Sequence, residues 1–378
     1  MQSGRFNVVT DGSWGSCGKG LVTTALAHRH RPAVISTTNM SNAGHTAVNN
    51  NGEAFVAKAL PSAAILSKWC EKYNPTIIVG PSAAFDLHQI LKEINICGVD
   101  DDVYIHPRAG VILDSHKEQE ASIETGTKHI ASTMQGCGAF LADKIMRRKD
   151  LKLARDYDEL KRYVNKIDLA ADIRFSGSFP ESLYTLMKSG HTILHEGSQG
   201  FSLDINHGSH YPQCTSRGTT AMQNAADMGI GHNMIGDIYV VIRPYPIRVG
   251  NVIEDGKTIG YSGDCYDDHH ETTWAEVAAA AGAPVEVTHG ELTTVTKRLR
   301  RVFTFSAKQL QEAVIVNGAT KIALNFANYV DWSCFGMNDY NKLPNKVRDF
   351  ISYVEDIAGI PVTIIGTGPQ NNHVCFVE

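Results

Sequence analysis

The sequence predicts an α/β fold: one large domain with a central, mostly parallel sheet flanked by helices. Short apolar strands alternate with helical segments along the 378 residues, a rhythm typical of a doubly wound sheet. Polar, glycine-bearing loops follow several strands, at the edge where open α/β sheets bind ligands. The chain carries no internal repeat and no dividing linker. We therefore expect a single domain over residues 1–378, with small β-hairpins and a helical peripheral insertion at about 139–190.

The composition argues against several classes of protein. Charged residues make up 20% of the chain and the formal net charge is −5, so no global basic field would recruit nucleic acid. The eight cysteines include no Cys-x-x-Cys pair, which argues against a zinc module or a disulfide framework. No apolar run is long enough to span a membrane, and the first residues lack the features of a signal peptide. We expect a cytoplasmic protein with reduced cysteines and with neither a nucleic-acid nor a membrane partner.

The first strand and helix enclose a glycine-rich loop. Phe6–Thr10 predicts a buried strand, Leu21–His30 predicts a helix, and the residues between them, Asp11–Gly20, read DGSWGSCGKG. Glycines let backbone N–H groups converge on an anion, the helix start favours negative charge, and Lys19 adds a cation. The pattern predicts a P-loop-like nucleotide site, although Gly20 stands where the Walker motif places a magnesium-binding hydroxyl. A tight strand-to-helix turn without a ligand is the alternative.

A second strand, Ala33–Thr37, leads into a polar stretch that ends at His45 and Thr46. A histidine at the carboxyl end of a strand is well placed to contact a ligand, but a lone histidine is more often structural, so the local pattern leaves both interpretations open. Residues Thr46–Leu60 alternate in polarity and turn at Asn50–Gly52, which predicts a hairpin near the phosphate loop.

The middle of the chain continues the alternation, with strands predicted at Thr76–Val79 and Val103–Ile105 and a helix at Ala83–Ile94. Hydroxyl and glycine residues in Ser132–Gly138 predict a second anion-binding loop. The helix that follows is predicted to end in Arg147-Arg148, and on local grounds this pair complements the helix dipole.

A polar helical stretch, Arg155–Ser189, predicts a peripheral insertion before the next buried strand, Thr192–His195. The polar, glycine-bearing run from Glu196 to Ser216 is too long for a simple connection, because structureless loops of this length are usually functional or disordered. Val252–Gly263 then predicts a hairpin that turns at Asp255-Gly256.

The last strands are predicted at Ile238–Ile242, Lys321–Asn325 and Val362–Ile365. The residues that follow the latter two, Asn325–Asn328 and Gly366–Pro369, should reach the same sheet edge as the phosphate loop if the sheet is parallel.

The densest positive charge lies in Thr293–Arg301. A solvated loop, nucleic-acid contacts and a clamp for small anions are all compatible with it. The negative net charge favours the clamp, because arginine forks bind carboxylate and phosphate groups bidentately.

Taken together, these motifs resemble those of adenylosuccinate synthetases along nearly the whole chain. The residues that carry the resemblance are Gly12–Gly15 with Gly18–Gly20, Asn42–Thr46, Leu60–Ser62, Glu196–Gly200 with Asp204 and His207-Gly208, Arg248–Gly250, and Thr367–Pro369. The resemblance implies a ligase that transfers the γ-phosphate of a nucleoside triphosphate to O6 of a 6-oxopurine nucleotide, with Mg²⁺. The amine of L-aspartate then displaces the phosphate.

The resemblance also implies residue roles. His45 would donate to the travelling phosphate and Gln199 would contact the purine near O6, while Ser16 and Gly44 occupy magnesium-ligand positions. The implied triphosphate contacts are Trp14, Gly15, Cys17, Gly18, Lys19, Gly20, Thr46, Arg300, Asn328, Gly366, Thr367, Gly368 and Pro369. The implied monophosphate contacts are Ser16, Asn42, Ser132, Thr133, Arg147, Gln199, Thr215 and Val249, and the aspartate contacts are Thr294, Val295, Thr296 and Arg298. Arg147 would reach the phosphate in the neighbouring subunit, which implies an active homodimer.

One departure from the family lies in the phosphate loop. Ser16 and Cys17 stand where the ordinary synthetase has aspartate and glutamate, and that aspartate takes the purine N1 proton and meets magnesium. Serine cannot act as this base at neutral pH and is a weaker magnesium ligand. Loss of function is one interpretation. The other is the aminodeoxyadenylosuccinate synthetase branch of phages that make 2-aminoadenine DNA, which act on dGMP rather than IMP.

In that branch the smaller side chain at Ser16 leaves room for the 2-amino group of guanine, and its hydroxyl accepts a hydrogen bond from it. Water and the phosphates of the nucleotide both remain candidates to take the N1 proton.

A second departure lies in the triphosphate site. The ordinary synthetase has Thr-Lys-Leu-Asp where this chain has Asn325–Asn328, and the aspartate accepts from N1 and N2 of guanine. An amide at Asn328 can instead both donate and accept hydrogen bonds with adenine, so we expect ATP or dATP as the phosphoryl donor.

Three functions remain: a dGMP-dependent ligase, an ordinary IMP-dependent synthetase, and a non-catalytic nucleotide-binding protein. The charge clamp at Arg298–Arg301 argues against the third.

Overall fold

A nine-stranded sheet forms the centre of the computed structural model, which describes residues 1–122, 127–164, 177–293 and 297–377. Its strands, named β1 to β9 in chain order, are Phe6–Asp11, Val34–Thr37, Thr76–Val79, Val103–Ile105, Ile193–Glu196, Ile235–Ile242, Lys321–Leu324, Val362–Gly366 and Val374–Phe376. They lie in the order β9-β8-β7-β6-β1-β5-β2-β3-β4. Neighbouring strands run parallel except β8 and β9, which confirms the predicted α/β fold with a mostly parallel sheet.

Helices cover both faces of this sheet. The α-helices are Lys19–His30, Leu66–Trp69, Leu87–Cys97, Asp114–Ala121, Cys137–Ile145, Lys161–Val164, Phe179–Lys188, Ala221–Asp227, Trp274–Ala281, Ala307–Asn317 and Asn345–Ala358. Alternate residues of β1 point to opposite faces. Val9 packs with Leu26 of the first helix, whereas Val8 packs with Leu183 on the other face. Burial on both faces explains why the strands read as continuous apolar runs.

Smaller strands lie outside the central sheet. The predicted hairpins are confirmed: His45–Val48 pairs with Ala54–Ala57, and Val252–Glu254 pairs with Lys257–Gly260. The remaining short strands are Ala84–Phe85 with Gly110–Val111, and Ile247–Arg248, Arg301–Phe303 and Glu271–Thr272 in one small sheet.

Two helix boundaries differ from the prediction. The helix predicted at Ala83–Ile94 is Leu87–Cys97 instead, because the carboxylate of Asp86 accepts the N–H of Gln89 and caps the helix there. The helix predicted to end in Arg147-Arg148 is Cys137–Ile145, and Arg147 adopts a left-handed conformation after it, with φ 54°. Part of the predicted polar insertion, residues 165–176, lies outside the described residues.

The parallel strands bring their carboxyl ends to one edge of the sheet, where β1, β2, β5, β6, β7 and β8 each open into a polar loop. All eight cysteines are free thiols, as expected. Within the four described ranges, no helix is both long enough and apolar enough to cross a membrane.

Candidate active site

A cavity of about 500 Å³ opens at the carboxyl edge of the sheet, within the usual range for small-molecule sites. It brings together most of the residues singled out from the sequence. Those that line it are Trp14, Gly15, Ser16, Gly18, Lys19, Gly20, Asn42, Gly44, His45, Thr46, Thr133, Gln199, Val249, Arg300, Asn328, Gly368 and Pro369. The phosphate loop, the histidine hairpin and the ends of β5 and β7 therefore face one space.

Other predicted contacts lie outside the cavity wall. These are Cys17, Ser132, Arg147, Thr215, Arg298, Gly366 and Thr367. Two have an evident reason: the Cys17 thiol is buried 2.9 Å from the Ser13 hydroxyl, and the Thr367 hydroxyl donates to the Met337 carbonyl at 2.6 Å. Thr294, Val295 and Thr296 lie outside the described residues.

The phosphate loop is shaped from beneath by Asp11, which is fully buried. Its carboxylate accepts the backbone N–H groups of Ser13, Gly15 and Cys17 at 3.0, 3.2 and 3.0 Å. The sequence predicts that these N–H groups converge on a phosphate. In the structure they converge on the Asp11 carboxylate. The N–H groups available to a phosphate therefore include those at the start of the helix that follows, which begins at Lys19.

Lys19 links this loop to the loop after β5. Its ammonium group lies 3.3 Å from the Asp11 carboxylate and donates to the Gln199 carbonyl at 2.7 Å. Gln199 and Ser16, both at the cavity wall, are held in left-handed backbone conformations with φ 61° and 58°. The two residues expected to contact the purine thus occupy strained positions, which persist where the surrounding contacts enforce them.

Gly20 is required by close packing rather than by phosphate chemistry. A Cβ atom at this position would lie 2.5 Å from the Thr46 carbonyl oxygen. Because the helix start packs directly on the His45–Val48 strand, the hydroxyl of a Walker motif has no room here. The same contact places His45 beside the phosphate loop.

His45 is oriented by a buried carboxylate. Its Nδ1 contacts the Glu196 carboxylate at the end of β5, and the other carboxylate oxygen of Glu196 accepts the N–H and the hydroxyl of Ser62, both at 2.7 Å. This contact leaves the Nε2 of His45 as the ring nitrogen that can face a ligand. Burial alone raises the pKa of Glu196, but His45 and the Ser62 hydrogen bonds outweigh it and lower the pKa below its usual value.

We expect Glu196→Gln to lower kcat by about 100-fold, because the His45 ring loses the carboxylate that orients it. The nucleotide KM values should change little, and the measurement is steady-state phosphate release. Glu93→Gln is the matched control: Glu93 is a buried glutamate that accepts the N–H groups of Lys58, Ala59 and Leu60 away from the cavity. An equal loss of kcat in both variants would mean that Glu196 contributes to folding and not to the orientation of His45.

The lowered pKa also has a consequence for stability. A carboxyl whose folded-state pKa is depressed stabilises the fold above its ordinary pKa, and this contribution is lost as the pH falls through the lowered value. The Glu196→Gln protein should therefore lose less stability on acidification than the parent chain.

Ser16 is held by a buried arginine. The carbonyl of Ser16 accepts from Arg243 at 3.1 Å, and the same guanidinium pairs with the Glu291 carboxylate. Burial lowers the pKa of Arg243, but attraction to Glu291 outweighs it and leaves a net rise, so the guanidinium stays charged. No local sequence pattern indicates this contact, because Ser16 and Arg243 are far apart in the chain.

The end of β7 supports the other side of the loop. The Asn325 amide donates to the carbonyls of Cys17 and Gly18 at 2.8 and 2.9 Å, so its role is to brace the phosphate loop. Asn328 lies on the cavity wall together with Gly368 and Pro369.

The loop predicted to bind a second anion, Ser132–Gly138, reaches the cavity wall only in part. Its glycine N–H groups are not free for a ligand, because Gly136 and Gly138 donate to the Glu120 carboxylate at 2.8 and 2.6 Å. Thr133 does line the cavity, and Arg298 donates to the Ser132 carbonyl at 3.1 Å. The cationic stretch thus braces this loop as well as bordering the site.

Comparison with known proteins identifies the family. A sequence model of adenylosuccinate synthetase matches residues 8–173 and 149–334. The adenylosuccinate synthetase of Thermococcus onnurineus is 33% identical over 368 residues, which cover 97% of each chain. That of Methanocaldococcus jannaschii is 30% identical over 371 residues, covering 96% of this chain and 94% of the relative. The chain belongs to the adenylosuccinate synthetase family.

Solved structures agree with this assignment. The succinoaminodeoxyadenylate synthetase of cyanophage S-2L, bound to dGMP and to dATP as an energy donor, superposes with a TM-score of 0.79 at 31% identity, covering 98% of this chain and 95% of that one. The fully ligated adenylosuccinate synthetase of Plasmodium falciparum gives 0.76 at 18% identity, covering 98% and 99%, and supports the fold alone. As an adenylosuccinate synthetase-type protein, the chain is a carbon–nitrogen ligase of purine biosynthesis.

Proposed function

We propose that this chain joins L-aspartate to C6 of dGMP, with ATP or dATP as the phosphoryl donor, and so supplies 2-aminodeoxyadenylosuccinate for the synthesis of 2-aminoadenine DNA. The observation that carries the proposal is Ser16. It stands in the phosphate loop and lines the cavity, at the position where the ordinary synthetase has the aspartate that serves as base. A hydroxymethyl side chain leaves space beside purine C2 and offers an acceptor to an exocyclic amine.

The cyanophage S-2L enzyme supports this substrate choice, because it binds dGMP and dATP and is 31% identical over 98% of this chain. The relatives named adenylosuccinate synthetase, at 30% and 33% identity, favour the alternative of IMP and aspartate. Because the overall identity to the two kinds of enzyme is similar, the proposal rests on Ser16 in the phosphate loop.

The reaction would proceed in two steps. In the first, the N1 proton passes to water or to a phosphate oxygen, a bond forms between purine O6 and the γ-phosphorus, and the bond from that phosphorus to the bridging oxygen breaks, which releases ADP or dADP. In the second, the aspartate amine attacks C6 and loses a proton to solvent, while the C6–O6 bond breaks and inorganic phosphate leaves. His45, oriented by Glu196, would donate to the travelling phosphate, and Gln199 would hold the purine near O6.

The residues present fit a magnesium ion bound mainly through phosphates. No group of three or more metal-binding side chains occurs among the described residues, and the Asp11 carboxylate is used by the loop amides. Ser16 and Gly44 both line the cavity and would add protein oxygens to the phosphate oxygens and waters that Mg²⁺ prefers. The ion would neutralise charge on the phosphates.

Homodimerisation is part of the proposal. Arg147 is exposed, in a left-handed conformation, beside the exposed Ile145 and Met146, and it does not reach the cavity of its own chain. An apolar, arginine-bearing patch of this kind suits a contact with a second copy. We expect size-exclusion chromatography with light scattering to give a dimer; a monomer with full activity would contradict a role for Arg147 in the neighbouring site.

Initial rates over a matrix of substrates test the proposed function. We expect kcat/KM to be higher for dGMP than for GMP or IMP, and higher with ATP or dATP than with GTP, when phosphate release is measured with aspartate present. Faster turnover of IMP than of dGMP would establish the ordinary synthetase activity instead. No turnover with any pair would favour the non-catalytic alternative.

Donor choice gives a separate prediction. We expect Asn328→Asp to raise the ratio of kcat/KM for GTP to that for ATP by about 10-fold or more, because a carboxylate accepts from both N1 and N2 of guanine. Asn341→Asp, at an exposed position outside the cavity, is the charge-matched control and should leave the ratio unchanged. An unaltered ratio in the Asn328 variant would remove this residue from donor selection.

A further inference from the structure

Four aromatic side chains that the motifs do not explain form a row along one wall of the cavity. Phe326, Tyr329, Trp332 and Phe335 recur every three residues, on a stretch that contains the single-turn 3-10 helices Ala327–Tyr329 and Trp332–Cys334. A 3-10 helix has three residues per turn, so side chains at this spacing point the same way. We name these four residues the aromatic row.

The rings of the aromatic row are nearly parallel to one another. Successive ring centroids are 5.6, 6.2 and 5.1 Å apart, with interplanar angles of 30°, 16° and 15°. These are offset-stacked arrangements, in which each added flat ring continues the series.

The inner end of the row is anchored before any ligand binds. The Arg243 guanidinium lies 3.9 Å from the centre of the Phe326 ring, and the Tyr329 hydroxyl donates to the Glu291 carboxylate at 3.2 Å. Arg243 also pairs with Glu291, so the row rests on an ion pair whose arginine is buried. A wall fixed in this way loses little conformational freedom when a ligand packs against it.

The outer end of the row is only partly covered, by a T-shaped contact between the Phe335 and His373 rings with centroids 5.6 Å apart. Phe335 is 46% exposed although it is a large apolar ring, and it lines the same cavity as the phosphate loop, Gly368 and Pro369. Exposure of an apolar ring to water is unfavourable. A ligand that carries both a flat aromatic base and a phosphate chain could cover the ring while its phosphates bind the neighbouring loop.

We propose that Phe335, with Trp332 stacked behind it, forms a stacking surface for the base of the phosphoryl donor. The proposal rests on the proposed function in taking the donor to be a nucleoside triphosphate. Stacking is tolerant of base identity, because every base has a π-face. The aromatic row therefore supplies affinity for the donor, stronger for purines than for the smaller pyrimidines, while Asn328 at the base edge chooses among the purines.

Leucine variants test the stacking role. Leucine keeps an apolar side chain and removes the π-face, so we expect Phe335→Leu to raise the KM for ATP by about 10-fold, as for loss of one base-stacking ring. Trp332→Leu should also raise the KM for ATP, by a smaller factor, because Trp332 supports the Phe335 ring from behind. The KM values for the monophosphate and aspartate, and kcat at saturating ATP, should stay within about twofold of the parent values. Trp332→Phe keeps a ring and should restore most of the ATP affinity.

Tyr353→Leu is the matched control. Tyr353 is an aromatic residue with 49% exposure on the Asn345–Ala358 helix, outside the cavity wall, and its substitution should leave every KM unchanged. A donor series adds a second readout: UTP should have a higher KM than ATP in the parent chain, and the leucine variants should narrow that difference.

A readout without turnover is the fluorescence of Trp332 during titration with ATP alone. Stacking should quench it, and the quench should be smaller in the Trp332→Phe protein, where Trp14 on the cavity wall and the other tryptophans report the background. Unchanged ATP KM values in both leucine variants, or an equal rise in the monophosphate KM, would overturn the proposal.

All rates are measured with dGMP and with IMP. A preference for IMP would then count against the proposed substrate, while the KM for the donor would still test the stacking surface.

Discussion

Replacing His45 with alanine is expected to lower kcat by about 1,000-fold or more while the fold stays intact. A positioned proton donor and a preorganised donor to developing phosphate charge are each worth two orders of magnitude or more. His45 combines both roles here, because it lines the cavity beside the phosphate loop and is held by the buried Glu196. Single-turnover phosphate transfer, measured by rapid quench with ATP, is the direct assay.

His28→Ala controls for the general effect of removing a histidine, since His28 is exposed at the end of the first helix and does not line the cavity. Thermal unfolding of both variants should lie close to that of the parent chain. A His45→Ala protein with a near-normal rate would mean that the phosphate is stabilised by other groups, such as Lys19 and Arg300, and that the Glu196 pair is structural.

Much of the fold could be predicted because its strands are short, buried and separated by clear turn signals. The apolar runs at Thr76–Val79 and Val103–Ile105 match their strands residue for residue. The helix start at Leu87 was missed because an apolar pattern continues through Ala84–Phe85, and only the side-chain cap from Asp86 separates strand from helix.

The chemistry of individual loops could be predicted only where it is local. The glycine pattern indicated a phosphate loop, but nothing in Asp11–Gly20 shows that the Asp11 carboxylate itself takes three of the loop amides. A glycine-rich turn looks the same in sequence whether its N–H groups meet a ligand or a neighbouring carboxylate, because only backbone conformation is encoded locally.

Local sequence patterns do not predict contacts between segments that are distant in the chain. Glu196 meets His45 and Arg243 meets Ser16 only because parallel strands place their carboxyl ends side by side. The aromatic row had a readable signal, a spacing of three from Phe326 to Phe335, but at that spacing aromatic residues usually indicate a packed core. Their position on the cavity wall distinguishes the two cases.

Replacing Ser16 with aspartate is expected to move substrate preference from dGMP toward IMP, with the ratio of kcat/KM values changing by about 100-fold. The larger side chain would crowd the 2-amino group of guanine and would return a carboxylate that can take the N1 proton. The substitution is compatible with the backbone, because Ser16 has φ 58° and aspartate tolerates the left-handed region better than most residues.

Ser16→Asn separates the two effects of that change. Asparagine matches aspartate in size and also tolerates a positive φ, but it carries no charge and cannot act as a base. If side-chain size excludes guanine and the carboxylate is needed as a base, the asparagine variant should lose dGMP activity without gaining IMP activity. The aspartate variant should lose dGMP activity and gain IMP activity.

If both variants keep the parent preference for dGMP, substrate choice does not depend on the side chain at Ser16. The selecting group would then lie on the loop after β5, where Gln199 is held against Lys19 across the same cavity.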